Sequence, residues 1–126
     1  MSLSVGVDLI ELSRIREAVA RHGDRFLIRV FTTEELAYCQ NRVPELAVRF
    51  AAKEAASKAL GVGLNHISSH GIGWREVEVL ADARGKPLLR LSGRARKLAE
   101  EQGLDRWAVS LSHTREYAVA LVVAMG

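Results

Sequence analysis

The segment from Arg49 to Leu60, RFAAKEAASKAL, most narrows what this chain can become. It is rich in alanine, carries Lys and Glu, and contains neither Gly nor Pro, so it reads as a strong helix. Gly61 follows where a left-handed C′ residue would end that helix. Away from it the periodicity changes. Ser4 to Ile10, Trp74 to Leu80, Pro87 to Leu91, Trp107 to Ser112 and Tyr117 to Ala124 are alternating or β-branched-rich stretches and read as strands. A helix this long among so many short strands excludes an all-α bundle and a purely β sandwich.

The connections sharpen the picture. Ala81 to Lys86 holds Asp82 and Gly85, a turn that would join two strands into a hairpin. The four residues between Ser112 and Tyr117 imply a second tight hairpin. Thr32 and Glu35 form a capping-box pattern, with Phe31 and Leu36 as its hydrophobic staple, and that helix should run to about Asn41. Pro44 marks a break before the next element. Ser13 is the expected N-cap of a helix through the arginine-rich stretch to Arg29, with Ile15, Ala18, Val19 and His22 turned inward. Ser92 is expected to cap a short helix ending at Gly103, and Val62 to Gly73 reads as a loop. The order strand, helices, strands, helix, strands argues for an α+β fold, a mainly antiparallel sheet packed with helices.

At 126 residues, one domain spanning 1–126 is expected. Cys39 is the only cysteine, which excludes an internal disulfide and a multi-thiol metal site. The longest apolar run, Tyr117 to Met125, is nine residues, whereas a membrane span needs about 20. The N-terminal residues lack the pattern of a secretory signal, so a cytoplasmic protein without a membrane partner is expected. The net charge is +3, and its source is local: from Arg14 to Arg29 five arginines face two acids, which equals the charge of the whole chain. With seven aromatics and no basic stripe interleaved with them, nucleic acid is not an expected partner. The helix face carrying Arg14, Arg21 and Arg25 is either simply solvated or a dock for an acidic protein.

Three stretches carry chemistry. In Gly6-Val7-Asp8-Leu9, Asp8 shares a strand face with Gly6; an acid there is either at a frayed strand end or a hard oxygen ligand for Mg²⁺. On the central helix Glu54 and Lys58 are one turn apart, as are Arg49 and Lys53. They make either surface pairs or a carboxylate ligand beside cations that hold phosphate. In Ser110 to Ala118, SLSHTREYA, a strand delivers Ser112 and His113 to a tight turn, where His113 is an ordinary edge histidine, a phosphate contact or a proton relay. Ser112 beside His113 has no third partner in view, which disfavours a hydrolase triad.

Taken in order, these blocks resemble the small holo-acyl-carrier-protein synthases, a branch of the 4′-phosphopantetheinyl transferases. GVDLIELSRI resembles that family's opening block, RFAAKEAASKALG its central helix, Gly85-Lys86-Pro87 its hairpin turn, and SLSHTREYAVA its final strand block. The resemblance implies transfer of the phosphopantetheine arm of coenzyme A to a serine of apo acyl carrier protein, with adenosine 3′,5′-bisphosphate as the other product. It implies Asp8 and Glu54 as Mg²⁺ ligands and Lys58 at the reacting phosphates. It further implies Arg49, Lys53, Gly61, Lys86, Pro87 and His113 around coenzyme A. Arg14, Arg21 and Arg25 would meet the acidic carrier protein, which favours docking over a merely solvated face. Small members are typically homotrimers with sites between subunits, so these residues are expected to come together from different chains. The broad-specificity branch is typically about twice this length, which argues against it.

Overall fold

The computed structural model describes residues 2–64 and 70–126. Among these, the chain runs β1 (Leu3–Glu11), α1 (Leu12–His22), α2 (Asp24–Val30), α3 (Thr33–Cys39), α4 (Val43–Leu60), β2 (Val77–Ala81), β3 (Pro87–Leu91), α5 (Gly93–Glu101), β4 (Arg106–His113) and β5 (Tyr117–Met125). Strands β1, β5 and β4 form an antiparallel sheet with β5 in the middle, and β2 and β3 form a separate antiparallel hairpin. The fold is the expected α+β arrangement. No helix among the described residues is long and apolar enough to cross a membrane.

The alanines of α4 explain how it sits. Ala51, Ala52, Ala55, Ala56 and Ala59 are buried, and so are Ala118, Ala120 and Ala124 on β5. Small side chains on both surfaces let the helix backbone approach the sheet closely. At Gly6 the approach is limiting, because a Cβ there would overlap the Ala55 carbonyl oxygen. The next inward residue of β1, Asp8, is thereby carried to the flank of α4. The opposite face of the same sheet is apolar and open: Leu3, Val5, Val7, Leu9 and Leu121 are each more than 40% exposed.

Several local expectations change. The arginine-rich stretch is two helices, broken at Gly23 with φ +55°. Helix α1 starts at Leu12 and Ser13 does not cap it. The Leu12 N–H is instead taken by the Glu116 carbonyl, 2.8 Å away, in the β4–β5 turn. His22 is exposed, so the inward stripe of α1 is Leu12, Ile15 and the partly buried Ala18 and Val19. The capping box of α3 forms as expected, Glu35 N–H donating to Thr32 Oγ1 at 3.2 Å and Thr32 N–H to Glu35 Oε1 at 2.9 Å. That helix ends at Cys39, where Gln40 and Asn41 turn left-handed. Helix α4 begins at Val43, well before Arg49, since Pro44 falls in its first turn, where a missing N–H costs no helical bond.

Trp74–Glu76 is a 3₁₀ turn rather than the start of a strand. Glu76 holds it: one carboxylate oxygen accepts from Gly73 N–H and the other from Arg94 N–H, each at 2.7 Å. The second bond caps α5, so the Ser92 side chain makes no cap. Leu64 and Ile72, at the two ends of the expected loop, are buried and bridged; residues 65–69 of that loop lie outside the described residues. In the β2–β3 turn, Asp82 Oδ1 accepts from Arg84 and Lys86 N–H at 2.8 and 2.9 Å, and Gly85 supplies φ +87°. This turn presents Lys86 and Pro87.

Candidate active site

Helix α4 offers two chemically distinct faces. On the first, Lys58 Nζ donates to Asp8 Oδ1 at 3.0 Å and to the Val7 carbonyl at 3.1 Å. Asp8 is mostly buried, whereas the Lys58 side chain is 54% exposed. Glu54 stands one turn before Lys58. Burial and then the negative charge of Asp8 push its carboxyl above the ordinary range, while Lys58 and Arg14 pull it down. The Asp8 charge thus raises the cost of ionising Glu54, and a cation beside the two would relieve that cost. No group of three or more His, Cys, Asp and Glu forms among the described residues. Mg²⁺ asks for less, taking one or two carboxylates and leaving the remaining positions to phosphates and waters. The Asp8–Glu54 pair fits that requirement.

The second face begins at Arg49. This side chain is only 2% exposed. Its Nε donates to the Val79 carbonyl at 2.9 Å, and its Nη1 to the Glu45 carbonyl at 3.2 Å and Glu45 Oε1 at 2.8 Å. The guanidinium lies over the Tyr38 ring, 4.5 Å from its centroid. Beside it opens a cavity of about 450 Å³ lined by Tyr38, Glu45, Arg49, Lys86, Pro87 and His113, among others. Four residues expected around one ligand thus converge from α4, the β2–β3 turn and the end of β4. Asp8, Glu54 and Lys58 do not line this cavity. One chain therefore presents the expected site residues in two separate groups.

The sequence model of the 4′-phosphopantetheinyl transferase superfamily matches residues 4–122. The chain belongs to that superfamily. A holo-[acyl-carrier-protein] synthase of Herpetosiphon aurantiacus is 53% identical over 98% of this chain and 99% of its own. Among solved structures, the holo-[acyl-carrier-protein] synthase of Neisseria meningitidis superposes with a TM-score of 0.82 at 37% identity, covering 98% of both chains. That of Helicobacter pylori, solved in complex with coenzyme A, superposes with a TM-score of 0.84 at 28% identity, covering 96% of this chain and 99% of the other.

Within this phosphopantetheinyl transferase the remaining expected site residues take varied places. Lys53 departs from expectation. It is fully buried, and its three donors are all used, by Glu35 Oε1 at 2.8 Å and by the Trp74 and Val77 carbonyls. No donor is left for a phosphate, so Lys53 ties α4 to α3 and β2 instead. Gly61 caps α4 in the left-handed conformation, with open space around its Cα. Arg14 and Arg21 share an exposed groove on α1 with Glu17 and His22. Arg25 is exposed too but belongs to α2, beyond the Gly23 break, so the three arginines do not share one helix. Ile28 on α2 is 59% exposed between arginines; its apolar character was the only sequence signal, and a helical stripe reading turns such a residue inward. Tyr38 and Glu45 were missed as cavity residues; the i, i+4 spacing from Arg49 was a local clue for Glu45, whereas Tyr38 meets Arg49 from another helix.

Proposed function

We propose that this chain transfers the 4′-phosphopantetheine arm of coenzyme A to a serine of apo acyl carrier protein, in a Mg²⁺-dependent reaction that releases adenosine 3′,5′-bisphosphate. The observation that carries the proposal is the pairing on α4 of an Asp8–Glu54–Lys58 cluster with a separate cavity edged by Arg49, Lys86 and His113. Phosphoryl transfer depends on positioning and charge neutralisation rather than on a covalent nucleophile of the enzyme.

In this reading Asp8 and Glu54 hold Mg²⁺, which when bound supplies Lewis-acid neutralisation of the pyrophosphate. Lys58, half exposed, turns its ammonium to the phosphates that react. The serine oxygen forms a bond to the phosphorus that carries pantetheine. The bond from that phosphorus to the oxygen bridging toward the adenosine-side phosphate breaks. The serine proton passes to a base of this cluster, where Glu54 and Asp8 are the carboxylates at hand. Arg49, Lys86 and His113 hold the remaining phosphate charge, with Pro87 shaping the cavity wall and Gly61 leaving room beside the end of α4.

The two groups of site residues complete each other between subunits of a homotrimer. The open apolar face of Leu3, Val5, Val7, Leu9 and Leu121 supports this, since so much contiguous apolar surface is costly to leave in water. Val7→Asp is expected to give monomers by sedimentation and to lose transfer activity; trimers of unchanged mass would count against the sheet face as the interface. The product, holo acyl carrier protein, serves fatty acid biosynthesis in the cytoplasm.

Arg14, Arg21 and Arg25, with Ile28 as an apolar contact, form the dock for the acidic carrier protein. Exposed charge contacts are screened by salt. Affinity for carrier protein is therefore expected to fall between low and high ionic strength by more than affinity for coenzyme A does, and equal salt slopes would remove the dock. The reaction itself is tested by intact mass. Apo acyl carrier protein, coenzyme A and Mg²⁺ should yield a carrier heavier by one phosphopantetheine, and EDTA should prevent it. A carrier protein left unmodified by folded enzyme refutes the proposal.

A further inference from the structure

The cavity on the second face of α4 contains a charge that does not suit an anionic ligand. Glu45 lines it, the only carboxylate among the described lining residues, and its Oε1 sits 2.8 Å from Arg49 Nη1. Arg49 has five N–H donors. Nε is spent on Val79, and Nη1 on the backbone and side chain of Glu45. What remains for a ligand is Nη2. A phosphate that seeks the two-pronged contact favoured by guanidinium must displace the Glu45 carboxylate from Nη1 or accept a single prong beside a like charge.

We propose that Glu45 is an affinity-setting residue: a built-in counter-anion that competes with the ligand's phosphate for Arg49 and sets how tightly this cavity holds an anionic ligand. The proposal rests on reading the cavity as the place of coenzyme A's phosphates. The contact with Tyr38 and the bond to Val79 keep the guanidinium in place whether or not Glu45 is charged. Glu45 is therefore not needed to orient Arg49, and its charge acts on affinity. Such competition weakens the hold on substrate and on the adenosine 3′,5′-bisphosphate product alike, and so favours release of the product.

Glu45→Gln separates charge from geometry, because the amide oxygen still accepts from Nη1. Calorimetric titration of wild type and E45Q with coenzyme A and with adenosine 3′,5′-bisphosphate, in Mg²⁺, reads the effect. E45Q is expected to bind both about tenfold more tightly at low salt, the cost of a like charge near a phosphate. That gain should shrink at high salt as the charges are screened. If Glu45 merely orients Arg49, E45Q binds as wild type does and Glu45→Ala binds more weakly. Either of those results, with wild type binding normally, overturns this inference alone. Wild-type protein that fails to bind coenzyme A overturns the reading of the cavity, and this inference with it.

Discussion

Glu54→Gln is expected to lower transfer by roughly a hundredfold or more, the scale of several kcal/mol that a metal-held charge supplies, while the protein stays folded. A neutral amide keeps the shape of the side chain and loses the charge that would hold the proposed divalent cation. The stability of the variant follows from the sign of the Glu54 shift. Burial and Asp8 raise its carboxyl in the folded chain. The folded state thus binds this proton more tightly than the unfolded state, and stability is lost as pH climbs from the unfolded value through the folded one. Glutamine has no such loss. Without metal, the Tm of the variant should match the wild type at acid pH and equal or exceed it above that window. Thermal melts across pH, run beside the intact-mass assay, check both halves. Wild-type turnover by folded E54Q would remove Glu54 from the metal site, and a Tm that drops below the wild type as pH rises would contradict the sign of the shift.

The contrast between Lys53 and Lys58 shows where sequence reading stops. Both lie on α4 among alanines, five positions apart in a motif that treats them alike. Helical geometry turns them to different sides, and only the packing of the β2–β3 hairpin decides which side is dry. Lys58 reaches Asp8 at the edge of β1, in contact with water, whereas Lys53 is closed in by Trp74 and Val77. Capping signals were legible where their atoms are local, as at Thr32–Glu35 and Gly61. They failed at Ser92, because Glu76 arrives from another element to take the α5 donor. The start of α4 was misread because Pro44 ends a helix from within but is tolerated in its first turn. The meeting of Arg49 with Lys86, Pro87 and His113 is long-range. Residue types alone left each of them with a bland reading, and the resemblance of ordered blocks was what joined them.

Lys53→Met is expected to cost about 3–5 kcal/mol of stability, the range for removing one partner of a buried ion pair. The ammonium is closed off from solvent, and burial lowers its pKa against the pull of Glu35. Methionine fills a similar volume but leaves three acceptors behind. The Trp74 and Val77 carbonyls lose a donor, and the Glu35 carboxylate, itself fully buried, loses its countercharge. Glu35 keeps only the N–H groups of Thr32 and Val79. Adding Glu35→Gln removes the stranded charge, so the double variant should recover part of the loss, and the urea midpoints of the two singles and the double give the coupling directly. The same series separates a structural lysine from a phosphate ligand. A phosphate ligand predicts K53M with a wild-type midpoint and weak coenzyme A binding. A structural lysine predicts a lowered midpoint that K53M/E35Q partly restores, with coenzyme A binding returning together with stability, because what Lys53 holds in place is the strand leading to Lys86 and Pro87.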